Sequence, residues 1–343
     1  MSLTVWLLAN PKWGGDVAAI IVIPINVAAV LVPLLPLITA AASRNREESA
    51  RGPGRVRRRR LRIAVAFTLT VLLVVSGVTL LNREEDPLDY LAGTLRVGVV
   101  GENYPGWNEE VVGAGRVGFD VALVEFIKEQ YPAITDVDYV KLTRREDRVT
   151  ALTDDAEDPV DLVVANFSIT PKREELIDFA GPYYYDSQGF FTWEQKSNIE
   201  EVPVDEVCLA SGTTGSDRLT ELGWQPVIEK SLVKCMEDFL QNEGTGRAVS
   251  TDTSILQAFA EDRKQDKAGD WQRANNIELG QESYGVGIPN NRPRLCEELN
   301  RTITQFINDH WTVEFNEHLK GVTDREKHMP KSTTPCKRST FFS

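Results

Sequence analysis

Cysteine and histidine are scarce in this chain, at four and three of 343 residues. No C-x-x-C pair is present and no Cys/His group has zinc-finger spacing, which excludes the usual structural zinc modules and thioredoxin-type redox motifs. The four cysteines, Cys208, Cys235, Cys296 and Cys336, all lie in the second half. In an oxidising compartment they form two disulfides, with three pairings open. His310, His318 and His328 cluster at the last helix and beyond, where they read as solvated. No internal repeat is visible, so a solenoid is excluded. The main part also lacks positive charge. Residues 1–82 hold ten Lys and Arg against three Asp and Glu, a net of +7; the whole chain is −13, which leaves −20 on residues 83–343. Phosphate binding needs a basic stripe, so nucleic acid is not the expected partner.

Charge is missing altogether from two stretches. Residues 17–43, VAAIIVIPINVAAVLVPLLPLITAAAS, contain no charged side chain, and neither do residues 63–82, IAVAFTLTVLLVVSGVTLLN. Each is long enough to span a bilayer, which takes about 20 residues. The loop between them, 44–62, carries nine arginines and two glutamates. The positive-inside rule puts it in the cytoplasm, with residues 1–16 and everything after the 83–92 linker outside. No small-x-small cleavage site follows the second run, so it reads as a retained anchor. The expectation is a multi-pass protein of the cell membrane with an external main domain.

That domain alternates strand and helix. Residues 94–100, 137–142 and 160–166 read as strands, and 118–131 and 145–155 as helices, giving a mostly parallel sheet covered by helices. An extended stretch, 186–193, leaves this unit. A second unit follows, with strands at 207–212, 246–252 and 277–283 and helices at 234–242 and 253–262. Residues 284–290 cross back, and a helix from Arg294 shows Leu295, Leu299, Ile303, Phe306 and Ile307 on one face. The fold class expected is α/β with two lobes and a hinge, lobe 1 from 93–189 and 286–322, lobe 2 from 190–285, and a tail from 323–343 that is loose apart from Cys336. Open α/β sheets bind ligands beyond the carboxyl ends of their strands. Asn166–Ser168, Ser211–Thr214 and Thr251–Asp252 occupy such ends.

Thr170-Pro171 starts a helix, with threonine as cap and proline in the first turn. Arg173 sits in that turn, where the helix dipole disfavours a cation. A solvated surface arginine is one reading; an arginine and backbone N–H groups holding an anion together is the other. Pairing Cys208 with Cys235 keeps both in the second unit, and Cys296 with Cys336 then staples the tail to the last helix.

The block DLVVANFSITPKREELIDFAGPYY, with GFDVALVEFI before it and SGTTGS, VSTDTSIL and ESYGVGIP after it, resembles the bacterial extracellular solute-binding proteins of family 3, the amino-acid receptors of ABC importers. The resemblance runs from Leu91 to Gly321. It implies a two-lobed, hinge-closing fold of the periplasmic-binding type, an amino-acid ligand, ABC permease subunits as membrane partners, and no cofactor, metal or catalysis. It further implies that Arg173 clamps the ligand carboxylate with Ser168, that Thr213 and Thr214 meet it from the second lobe, and that Asp252, beside Thr251 and with Asn166, receives the ammonium. Arg148 matches an arginine that acidic-ligand members use on the side-chain carboxylate, and Trp107 or Tyr104 is left to wall the pocket. A ligand sensor acting through a partner chain and a dehydratase-type enzyme on the same fold are the alternatives.

Overall fold

A computed structural model of the chain describes residue 70 and residues 86–153, 155–242, 247–263, 272–273 and 277–337. The two charge-free runs (Thr70 apart), the arginine-rich loop and residues 1–16 lie outside the described residues. Among the described residues no helix is long and apolar enough to cross a membrane.

The elements in chain order are α1 (Pro87–Tyr90), β1 (Gly93–Val100), the hairpin β2 (Glu109–Val111) and β3 (Gly115–Val117), α2 (Phe119–Gln130), β4 (Ile134–Leu142), α3 (Asp147–Thr150), β5 (Leu162–Val163), α4 (Pro171–Glu174) and β6 (Asp178–Thr192). A 3₁₀ turn at Ile199–Glu201 leads to β7 (Val207–Ala210), α5 (Thr214–Glu221), β8 (Val227–Glu229), α6 (Leu232–Gln241), β9 (Ala248–Asp252), α7 (Thr253–Asp262), β10 (Gln272–Arg273) and β11 (Leu279–Ile288). Helices α8 (Pro293–Asp309), α9 (Trp311–His318) and α10 (Arg325–His328) close the chain.

One sheet runs through both lobes in the order β4-β1-β5-β11-β6-β9-β7-β8, with β10 beside β6. Strands β4, β1 and β5 are parallel, as the alternating pattern requires. The two crossings are longer than the sequence suggests. Strand β6 already begins at Asp178, and β11 merges the stretch read as a strand and a separate return into one. They pair antiparallel from Asp178↔Ile288 to Gln188↔Leu279, while β9 takes up the far end of β6 from Gln188 to Thr192. Near Asp186–Gln188 the same strand therefore leaves one lobe and enters the other.

The lobe 1 core is aromatic. Trp107, Phe119, Tyr184, Tyr284 and Trp311 are fully buried, and Trp107 packs edge-on against Phe119, Tyr184 and Tyr284 with ring centroids 4.8–5.7 Å apart. This corrects the expectation that Trp107 walls a pocket. Gly106 holds φ +71°, where a Cβ would lie 2.5 Å from the His318 carbonyl oxygen, and the tight turn it allows sends the following indole into the core. Helix α8 buries Leu295, Leu299, Ile303, Phe306 and Ile307 as its spacing predicts, each contributing about 1.5–3 kcal/mol.

Two readings of the C-terminal region are overturned. His328 is buried, not solvated: its Nδ1 lies 2.8 Å from the Tyr185 carbonyl oxygen and its ring stacks on Tyr184 at 5.0 Å. Residues 323–337 are not loose. The Thr334 N–H donates to the Gly181 carbonyl at 2.6 Å, the Asn300 amide donates to the Thr334 carbonyl at 2.8 Å, and Cys336 is bonded to Cys296. Short polar side chains gave no periodic pattern here, because the segment is held by hydrogen bonds and one covalent link rather than by an apolar face. The other disulfide joins Cys208 on β7 to Cys235 on α6, with Cα atoms 5.6 Å apart.

Candidate functional site

Between the lobes lies a cleft lined from both sides. Lobe 1 contributes Tyr104, Arg145, Arg148, Asn166, Ser168 and Arg173; lobe 2 contributes Thr213, Thr214, Gly215, Thr251 and Asp252, with Leu209 and Ile255 as apolar wall. Eight of the nine residues singled out for ligand binding thus meet here, and Trp107 does not.

The loop after β5 and the short helix α4 place the lobe 1 groups. Thr170 accepts the Arg173 N–H on its hydroxyl at 3.3 Å, and Pro171 supplies the fixed φ of a first helical turn. The turn aims Arg173 back into the cleft. One guanidinium nitrogen donates to the Ser168 carbonyl at 2.6 Å, and the group lies 4.9 Å above the Phe167 ring. Among the described residues no carboxylate pairs with it. Burial lowers its pKa, opposed by the charges of Glu282, Asp217 and Asp252. Asn166 holds the left-handed φ of 46°, with its N–H on Asp120 at 2.9 Å. Neither atom of its buried side-chain amide has a partner among the described residues. Burial raises the Asp120 carboxyl to about 6 against the hydrogen bonds from Tyr183 and Asn166.

Arg148 stands on one turn of helix with Arg145, three residues apart and on the same face. Both are 7% exposed. Arg145 is tied down: it donates to the Tyr104 hydroxyl and to the Lys230 carbonyl at 3.2 Å, and lies 3.7 Å from Glu102. Arg148 has neither an ion pair nor a side-chain hydrogen bond among the described residues. Burial, and then the neighbouring Arg145 charge, bring it down to about 10. Sequence reasoning named Arg148 and passed over Arg145; the i, i+3 spacing in RREDR was the available signal.

Lobe 2 presents a helix start. The Thr213 hydroxyl donates to the Ala210 carbonyl at 2.9 Å and accepts the Ser216 N–H at 3.1 Å, so it caps α5 and its only proton is committed. Thr214 and Gly215 follow in the first turn and face the cavity. A Cβ at Gly215 would come within 2.9 Å of the Gln188 amide. Gln188 also accepts from Arg218 at 2.9 Å, and Arg218 pairs with buried Glu282 at 2.7 Å, so α5 is keyed to both crossing strands. Asp252 ends β9. It makes no side-chain cap of α7, but accepts from the Tyr284 hydroxyl. Burial, then the charges of Glu282 and Asp186, push its carboxyl well above the usual range. The cavity therefore sets three guanidiniums on one lobe against one carboxyl on the other, in a domain that is otherwise acidic.

A profile of bacterial extracellular solute-binding proteins, family 3, matches residues 95–319. The glutamate-binding protein GluB of Corynebacterium efficiens is 25% identical over 156 residues, covering 44% of this chain and 52% of that protein. The ABC transporter glutamine-binding protein GlnH of Bacillus subtilis is 23% identical over 159 residues, or 44% and 54%. The chain thus spans about half the length of the curated relatives it matches. Among solved structures, the cysteine-binding protein of Campylobacter jejuni superposes with a TM-score of 0.61 at 22% identity, covering 72% of this chain and 99% of that one. The solute receptor for L-cysteine of Neisseria gonorrhoeae gives 0.60 at 20%, covering 69% and 96%. The fold is that of these binding proteins, and the chain belongs to the bacterial extracellular solute-binding proteins of family 3.

Proposed function

We propose that this protein binds an amino acid with a side-chain carboxylate, glutamate or a close polar relative, between its lobes and delivers it to an ABC-type permease. The observation that carries the reading is Arg148. A buried guanidinium without a counter-charge is costly, and a ligand carboxylate relieves that cost. Arg173, equally without a carboxylate, suits the α-carboxylate, with the α5 N-terminus adding backbone donors from the opposite side. Asp252 is the counter-charge for the ammonium, and the unpaired Asn166 amide is a further polar contact. A zwitterion with one extra negative charge matches this set better than a neutral or basic amino acid. The relatives named for glutamate and for glutamine agree with a short polar ligand, and the word ABC in one of those names supports the permease as partner.

The reading includes a place for the domain: outside the cell membrane, held by the two charge-free runs at 17–43 and 63–82. It is a binding role without turnover. A thermal-shift panel of the twenty amino acids on the full-length protein tests it. Glutamate or aspartate should give the largest rise, glutamine a smaller one, and lysine and arginine none. A panel led by a basic amino acid would overturn the acidic-ligand assignment.

A further inference from the structure

Glu102 and Arg145 make a contact between the lobes. Glu102 lies in the turn after β1, in lobe 1, and Arg145 opens the turn that carries Arg148. Both reach across the cleft to the start of α6 in lobe 2. The Glu102 carboxylate accepts the Leu232 backbone N–H at 3.3 Å, and Arg145 donates to the Lys230 carbonyl at 3.2 Å. The two side chains lie 3.7 Å apart, so each orients the other. Leu232 is the first residue of a ten-residue helix whose cap, Ser231, is occupied by the Lys234 N–H at 3.0 Å. Its own N–H is one of the orphan donors of a helix start and has no other acceptor among the described residues. A lobe 1 carboxylate thus sits on the positive end of a lobe 2 helix. The helix is a firm anchor, because Cys235, one turn on, is bonded to Cys208 of β7.

We propose that Glu102, oriented by Arg145, is the interlobe latch of the cleft: it holds α6 against lobe 1 in the closed form and sets how slowly a bound ligand leaves. The proposal rests on the binding reading above for its effect on ligand release; the contact itself is made by protein groups alone. The latch is a positioning device. Glu102 does not itself line the cavity, so the loss of its contact with α6 acts on the rate of opening. The effect falls on dissociation, because the contact forms only after the lobes have met.

The test uses the full-length protein, with glutamate and glutamine as probes, and three forms: wild type, Glu102→Ala and Glu102→Gln. Glu102→Ala should release glutamate about tenfold faster, the size expected for one hydrogen bond to a charged group. Its association rate should stay within about twofold. Glu102→Gln keeps an oxygen for the Leu232 N–H and should recover part of the loss. Hydrogen exchange of the peptide holding Leu232 provides a second readout that needs no ligand: the Leu232 amide should be protected in wild type and not in Glu102→Ala. If wild type binds neither probe, the binding reading fails, and the exchange measurement alone then judges the latch. Unchanged release together with equal protection of Leu232 in wild type and Glu102→Ala would overturn it.

Discussion

Replacing Arg148 with methionine separates two quantities that change together in most binding-site variants. Arg148 is 7% exposed, has no ion pair among the described residues, and is brought by burial down to about 10 from the usual arginine range. Each pKa unit is worth about 1.4 kcal/mol, so keeping this group charged costs the ligand-free protein roughly 3 kcal/mol. The sign follows from proton binding: the folded form holds the proton less tightly than the unfolded chain, so the whole penalty is present at neutral pH and eases only as pH rises past about 10. Methionine fills the stem of the arginine without the charge, and the packing lost at the head returns part of the gain. The net expectation for Arg148→Met is a ligand-free protein more stable by about 1–2 kcal/mol, a rise of about 2–8 °C in Tm for a domain of this size. Binding moves the other way. A ligand carboxylate buried without its partner costs about 3–5 kcal/mol, so glutamate should bind about 10²–10⁴-fold more weakly, while glutamine stays within about fivefold. Differential scanning calorimetry and titration calorimetry on the same preparations read both. A variant that is less stable without ligand and loses glutamate and glutamine equally would refute the reasoning, since Arg148 would then be a structural residue.

Arg173→Ala should weaken every amino acid that binds by about 10²–10⁴-fold and leave folding intact, since the residue sits on a turn at the cleft; calorimetry within a few-fold of wild type would remove it from the clamp. Asp252 has a folded pKa raised by burial and by Glu282 and Asp186. The stability it lends in the acid form is therefore lost as pH rises through that folded pKa, while ammonium binding tightens over the same window and releases a proton. Titration in two buffers of different ionisation enthalpy should detect that proton in wild type and not in Asp252→Asn. His328→Ala removes a stacked ring and its carbonyl contact and should cost about 2–3 kcal/mol, or about 4–12 °C in Tm, whereas a solvated histidine would cost nothing measurable. Protease added to intact cells should cleave residues 84–343, and protection of that domain would refute the orientation read from the arginine-rich loop.

Local signals carried much of this protein into the sequence. The alternation of strand and helix, the apolar face of α8 and the Thr170-Pro171 helix start depend on neighbours within a few residues; the last two are where the pattern puts them, and the alternation holds in order though not in its bounds. The charge-free runs and the arginine cluster are equally local, so the membrane reading belongs to the sequence alone. Thr214 and Asp252 could be singled out because strand ends in such sheets point toward one cleft, and Arg173 because a cation in a first helical turn is unusual; their roles came from the family resemblance. What the sequence did not carry depends on partners far away along the chain. Trp107 looks like an aromatic beside a binding loop until Gly106 turns it inward among Phe119, Tyr184 and Tyr284. His328 looks solvated because its carbonyl partner, Tyr185, lies 143 residues away. Arg145 and Arg148 share a helical turn and nearly the same sequence context. Only packing gives one a hydroxyl, a carbonyl and a carboxylate and leaves the other without an ion pair among the described residues, and Coulomb energy in a desolvated cleft turns that difference into the contrast between a latch and a site.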